Sequence, residues 1–160
     1  MSHIIRTMFC LFCLLIVEQT IMAQICQMTN APSPPFVPPN PYWQSTHHDE
    51  FWYGSTALWT RLARNIWKMP HDEEAGLVTK LTWWSQGFDW RKEPLPSLFV
   101  TGKRLDRDAP VISASNAQSV FVTTTRPAMM VGMDIPTEGC WEITGHYRDT
   151  SLSFVVRVIK

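Results

Sequence analysis

Charge of one sign is what this sequence most lacks. Fourteen lysines and arginines balance fourteen aspartates and glutamates, so the formal net charge is zero. A general nucleic-acid binder, or a binder of anionic membranes, carries a basic excess, and no nucleic-acid partner is assigned. No apolar run is long enough to cross a bilayer. The longest, Met8–Val17 (MFCLFCLLIV), has ten residues, against the roughly 20 a spanning helix needs. No internal repeat and no long amphipathic helical period occur. The Gly-x-Ser-x-Gly elbow of serine hydrolases is missing, as is a Gly-rich phosphate loop. Nucleophilic hydrolysis and nucleotide chemistry are therefore without their usual sequence supports. No catalytic residue and no cofactor is assigned, and the chain reads as non-enzymatic. Cysteine is scarce: there are four, two of them within the first 23 residues.

Those first residues have the pattern of a secretory signal peptide. His3 and Arg6 precede the apolar run, and Ala23 stands before a plausible cut at Gln24. Cleavage is favoured over retention as an anchor or as a buried N-terminal helix. It removes Cys10 and Cys13 and leaves Cys26 and Cys140. An even pair in an exported chain favours a disulfide, which would pin the leading segment to the end of the chain. Lipidation of Cys26 is disfavoured, because Ala23-Gln24-Ile25 lacks a small residue just before the cysteine. The expected location is secreted, periplasmic or in the cell envelope. Three regions follow: a signal segment 1–23, a proline-rich strap or linker 24–43, and one domain 44–160, large enough for a single core.

Thr29–Tyr42 holds six prolines in fourteen residues, so extended polyproline-like backbone is expected. A free spacer has no use for Phe36, Val37, Tyr42 and Trp43, whereas a segment tied down on the domain does. The strap is favoured over a spacer and over a ligand for a proline-recognition domain.

The closing stretch, Gly139–Val158, reads as a β-hairpin. Trp141, Ile143, Gly145 and Tyr147 alternate with Cys140, Glu142, Thr144 and His146, the period of a half-buried strand. Arg148–Ser151 is the expected loop. Leu152–Ile159 is apolar on both faces, as an inner strand covered on two sides would be. Ala128–Ile135, Leu77–Ser85, Leu98–Leu105, Pro110–Ala114 and Ser119–Thr125 are further strands. Ala57–Ala63 fits a strand or a short helix, and Arg64–Gly76 reads as an exposed loop. Six to eight short strands between proline, glycine and asparagine turns predict an all-β fold. An immunoglobulin-like antiparallel β-sandwich is preferred to a small barrel.

The segments FWYGSTALWT (51–60), KLTWWSQGFDWR (80–91), LFVTGKRLD (98–106), MMVGMDIPTEGCWEITGHY (129–147) and LSFVVRV (152–158) together resemble a group of uncharacterised secreted bacterial proteins of the acidobacterial type. Cys26 followed by Pro32–Pro41 resembles their mature start. The resemblance covers most of residues 26–158, and GCWEITG and WW-x-x-G-x-D-W-R are its specific parts. It implies an exported β-sandwich and carries over no activity, catalytic residue or cofactor. The chain departs from the group at Asn116–Thr125 and Arg64–Gly76.

Few residues suggest chemistry. His47-His48-Asp49-Glu50 and His71-Asp72-Glu73-Glu74 have metal-ligating side chains. Adjacent residues on one backbone rarely aim at one ion, so two solvated loops are preferred and no metal is assigned. Cys140 is better explained by a disulfide than by thiolate chemistry, and His146 reads as a surface strand residue. The pairs Asp106/Asp108 and Asp89/Glu93 are common turn residues. The best ligand-binding candidate is Trp84, Trp90 and Arg91. Adjacent Trp83 and Trp84 point to opposite faces of a strand, and an outward Trp84 beside Trp90 and Arg91 would make an aromatic platform for a sugar ring. A strap lying over that tryptophan is preferred to the exposed platform. The leading function is a structural or interaction module with an unknown protein or glycan partner. The alternative is a carbohydrate-binding module.

Overall fold

The computed structural model describes residues 26–68, 71–72, 76–123 and 126–160; the expected signal segment lies outside them. Two packed sheets make an all-β sandwich. Among the described residues there are eleven strands: β1 (Glu50–Gly54), β2 (Trp59–Ala63), β3 (Trp67–Lys68), β4 (His71–Asp72), β5 (Gly76–Trp84), β6 (Phe99–Arg104), β7 (Ile112–Ala114), β8 (Gln118–Thr123), β9 (Arg126–Ile135), β10 (Gly139–Tyr147) and β11 (Thr150–Ile159). The first sheet runs β1-β2-β5-β9-β8, with β4 also pairing β5. The second runs β3-β11-β10-β6-β7. All pairs are antiparallel except β3 with β11.

Period-two patterning sets what each sheet buries. In β10 the residues Trp141, Ile143, Gly145 and Tyr147 face the core and are buried, as the alternation requires. Phe154, Val156 and Val158 of β11 join them, with Trp83, Met129, Val131, Met133 and Ile135 from the first sheet. Trp83 fixes the sheet separation at one point. Its ring lies against Gly145, where an added Cβ would stand 2.6 Å from two ring carbons. A glycine in mid-strand weakens a strand; here it makes room for the largest side chain in the core.

Local chemistry explains the turns. Gly54 has φ +128°, a conformation costly for any residue with a Cβ, and it closes the β1–β2 hairpin. The closing hairpin turns in two residues, Arg148 and Asp149, since Tyr147 pairs with Thr150. Arg148 takes φ +53°, the hand that two-residue hairpins require. The expected four-residue loop 148–151 is thus shorter, because Thr150 and Ser151 are polar yet still carry ladder hydrogen bonds.

Arg64–Gly76 also differs from its reading as a loop. It holds β3 and β4 and starts β5. β3 pairs in parallel with Val158 and Ile159, so the chain leaves the first sheet after β2 and crosses to the second. Ala57–Ala63 is resolved in favour of strand, as Trp59–Ala63 pairs along its length with β1.

Candidate functional site

The strap is the feature that joins the parts of the molecule. It starts on the outer face of the second sheet, where Cys26 is bonded to Cys140 with a Cα–Cα separation of 5.4 Å. Thr29 then clamps the free edge of β11. Its N–H donates to the Val155 carbonyl at 2.9 Å, and its hydroxyl accepts from the Val155 N–H at 2.8 Å. Edge groups that would otherwise template another strand are thereby satisfied. Farther on, Phe36 and Tyr42 pack on Trp59, with Tyr42 edge-on at 5.0 Å between centroids. Arg126 donates through Nε to the Pro41 carbonyl, and its guanidinium lies 4.7 Å from the Trp43 ring centre. Burial raises the pKa of Tyr42, as expected for a phenol pressed against an indole. The peptide bonds before Pro34 and Pro41 are cis. In all, the segment passes round one edge of the sandwich, from the outer face of one sheet to the outer face of the other.

That path decides the fate of the tryptophans. Trp83 points inward and is fully buried. Trp84 points outward, but it is only 4% exposed. It stands edge-on to Trp52 at 5.2 Å, in a second apolar cluster with Trp59 and Ala128, against which Phe36, Tyr42 and Val120 pack. The expected platform of Trp84, Trp90 and Arg91 is therefore not assembled. Trp90 packs against the inter-sheet core instead. Arg91 does stay with it, its guanidinium 4.5 Å from the Trp90 ring centre. Sequence reading missed the aromatic neighbour Trp90 actually has, Phe121 of β8, edge-on at 4.8 Å and 52% exposed. An apolar residue on the solvent side of an edge strand was the signal for it.

The metal candidates are dispersed. The His47 carbonyl accepts from the Glu50 N–H, and the Asp49 carbonyl from the Arg64 N–H, so this segment turns into β1, where Glu50 pairs with Arg61 at 3.2 Å. His71 and Asp72 form β4, and Glu73 and Glu74 lie outside the described residues. Among the described residues no group of three His, Cys, Asp or Glu side chains could hold a metal ion. His146 lies beside Phe99 on the outer face of the second sheet.

Two polar clusters were not foreseen. At one end of the sandwich, Glu93 Oε2 accepts from the Tyr147 hydroxyl at 2.7 Å and from Arg148 at 3.2 Å, while Oε1 accepts from the Ser97 N–H. Arg148 also donates to the Gly87 carbonyl. Burial alone would raise the Glu93 pKa, but the bonds from Ser97, Tyr147 and Arg148 outweigh it and lower it overall. Tyr147 is shifted upward, first by burial and then by its carboxylate partner. At the other end, the guanidinium of Arg104 is buried, donates to Asp106 and Thr137, and faces the Trp141 ring. The Arg104 bond is the main cause of a lowered Asp106 pKa. Gly139 has no side chain because Arg104 occupies that space: a Cβ there would meet its guanidinium. The inward-facing Tyr147 hydroxyl was a legible clue, since a buried phenol needs a partner.

Comparison with known proteins gives no match to any family model, curated protein or solved structure.

Proposed function

We propose that this chain is an exported, non-enzymatic module of immunoglobulin-like type, working as a structural or interaction part of a bacterial cell envelope or outside the cell. One observation carries the reading: the Cys26–Cys140 bond, since such bonds persist in oxidising compartments and are rare in reducing ones. The apolar N-terminal run and the resemblance to secreted bacterial proteins point the same way. Among the described residues no helix is long and apolar enough to cross a membrane. Strand order supports the immunoglobulin-like part. The runs β2-β5-β9-β8 and β11-β10-β6 have the order of the ABED and GFC sheets of that fold, with β1, β3, β4 and β7 added. The staple differs from the inter-sheet bond of antibody domains, because it ties a leading strap to the face of one sheet.

Carbohydrate binding rested on an exposed Trp84, whereas that residue is buried edge-on to Trp52. What remains for it is Trp90, with Arg91 over its ring and Phe121 at its edge.

The test is an intact-mass measurement on protein recovered from the envelope and the medium of a bacterial host. A start at Gln24 and a gain of about 2 Da on reduction, one hydrogen per cysteine, are expected. A reduced chain that keeps residues 1–23 in the cytoplasm would overturn the reading.

A further inference from the structure

The outer face of the first sheet carries Trp52, Trp59 and Trp84, and a proline-rich segment covers it in place of a third layer. Trp52 and Trp59 are 6% and 0% exposed, and their indole N–H groups, like that of Trp83 in the inter-sheet core, have no hydrogen-bond partner among the described residues. Aromatic surfaces of this kind recognise extended proline-rich segments, whose backbone offers carbonyls and stiff pyrrolidine rings. The strap is such a segment. Its contacts are with Cys140, Val155, Trp59 and Arg126, all distant in sequence, so none requires strap and sandwich to belong to the same copy. The cis tie is Gln44–Asp49, outside any strand, which can span about 20 Å when extended.

We infer that the Trp52–Trp59–Trp84 face is a docking site for a proline strap, filled in cis while Cys26–Cys140 is closed and open to the strap of a second copy once that bond is reduced. This gives the interaction reading above a partner and a gate, and it rests on that reading only to that extent. Exchange of an identical element is an accessible route to a dimer.

The gate is reachable. The disulfide borders an open groove of about 580 Å³ lined also by Arg104, Arg107, Glu138 and Arg157. Cys140 is buried, and Cys26 is the more exposed partner. A thiolate of an external dithiol attacks Cys26 Sγ, and Cys140 leaves as a thiolate and is protonated. The second thiol of the reductant then closes its own disulfide, releasing Cys26, which takes a proton. The protein gains two electrons and two protons, and the dithiol loses them. Reoxidation by the oxidised dithiol reverses these steps, within one copy or between two.

The experiment uses the full chain and a fluorescent peptide of residues 29–43 as probe. Fluorescence anisotropy is read with oxidised protein, with reduced protein, and with the variant Cys26→Ser/Phe36→Ala/Tyr42→Ala, whose own strap is weakened. A fastened cis strap competes at millimolar effective concentration, so the oxidised protein should bind the probe at least about tenfold more weakly than the variant. A probe with Tyr42→Ala should lose affinity. Because the triple variant could fail to fold, reduced wild-type protein is also concentrated and reoxidised. Non-reducing electrophoresis should then show a covalent dimer joined through Cys26 and Cys140. Equal probe binding in oxidised and reduced forms, or a folded reduced protein that binds no probe and reoxidises only to monomer, would overturn the exchange. That second result would leave an interaction role for other surfaces.

Discussion

Replacing Gly145 by alanine tests how the two sheets are held apart. The new Cβ would stand 2.6 Å from two carbons of the Trp83 ring and 3.0 Å from a third. Ordinary van der Waals contact begins near 3.4 Å, so the two sheets or the indole must yield by most of an ångström. Neither yields easily. Trp83 is fully buried and packs at a tilt against Phe154, centroids 5.7 Å apart, and β10 is paired on both sides, to β11 and to β6. Overpacking of a tight core costs typically about 1–3 kcal/mol, and rigid partners on both sides place this site near the top of that range. Alanine recovers about 0.5–1 kcal/mol of the backbone entropy that glycine loses on folding. The net loss is about 2 kcal/mol, which for a domain of this size lowers Tm by roughly 6–10 °C. Urea unfolding followed by tryptophan fluorescence measures it. Trp83→Leu in the same background should relieve the clash, giving a coupling of about 1 kcal/mol in a double-mutant cycle. A neutral or stabilising Gly145→Ala, or strictly additive single variants, would refute the contact.

Removing the staple with Cys26→Ser/Cys140→Ser releases a loop with a sequence separation of 114, and the chain-entropy model expects a loss of about 4–5 kcal/mol in the urea extrapolation; an unchanged midpoint would refute it. Arg104→Met keeps the apolar stem over Trp141 but removes the ion pair to Asp106, whose side chain is 28% exposed. With that exposure discounted, the loss is about 1–3 kcal/mol, read by chemical denaturation. Stability should also show an acid limb to which Glu93 and Asp106 contribute and an alkaline limb to which Tyr147 and Tyr42 contribute. The Glu93 pKa is lowered from 4.5, so its contribution is present above that value and is lost as pH falls through the lower folded pKa. Tyr147 is raised from 10.0, so its contribution is present below that value and is lost as pH rises toward the higher folded pKa. Urea midpoints across pH for the wild type and Glu93→Gln check this, and coincident acid limbs would refute it.

What could be read in the sequence was whatever repeats with a period of two. The burial of Trp141, Ile143, Gly145 and Tyr147 needed only alternation, and the pairing of Cys26 with Cys140 followed once Cys10 and Cys13 were assigned to the expected signal segment. A strap over the outward tryptophan was expected; what was not legible is the arrangement, in which Trp84 packs edge-on to Trp52 while Phe36 and Tyr42, more than forty residues upstream, join the same cluster through Trp59. β3 and β4 escaped notice for another reason: two residues carry no periodicity, and β3 exists only because its backbone finds β11. The Glu93 and Arg104 clusters join loops and strand ends from remote segments. A single inward hydroxyl on Tyr147 signalled that a partner must exist, but not which one.

Synthesis from the N-terminus gives the strand order of the second sheet a temporal meaning. By Ile135 all strands of the first sheet have been made, whereas β10, to which both β6 and β11 pair, comes afterwards. Until those residues follow, the chain lacks the strand that joins β6 to β11 and the partner of Cys26. An incomplete chain that exposes apolar surface is an aggregation hazard, and no wrong disulfide is available among the described residues, which contain only Cys26 and Cys140. Residues 139–160 therefore act as the commitment step: they supply the central strand of the second sheet, the glycine that receives Trp83, and the cysteine that closes the strap.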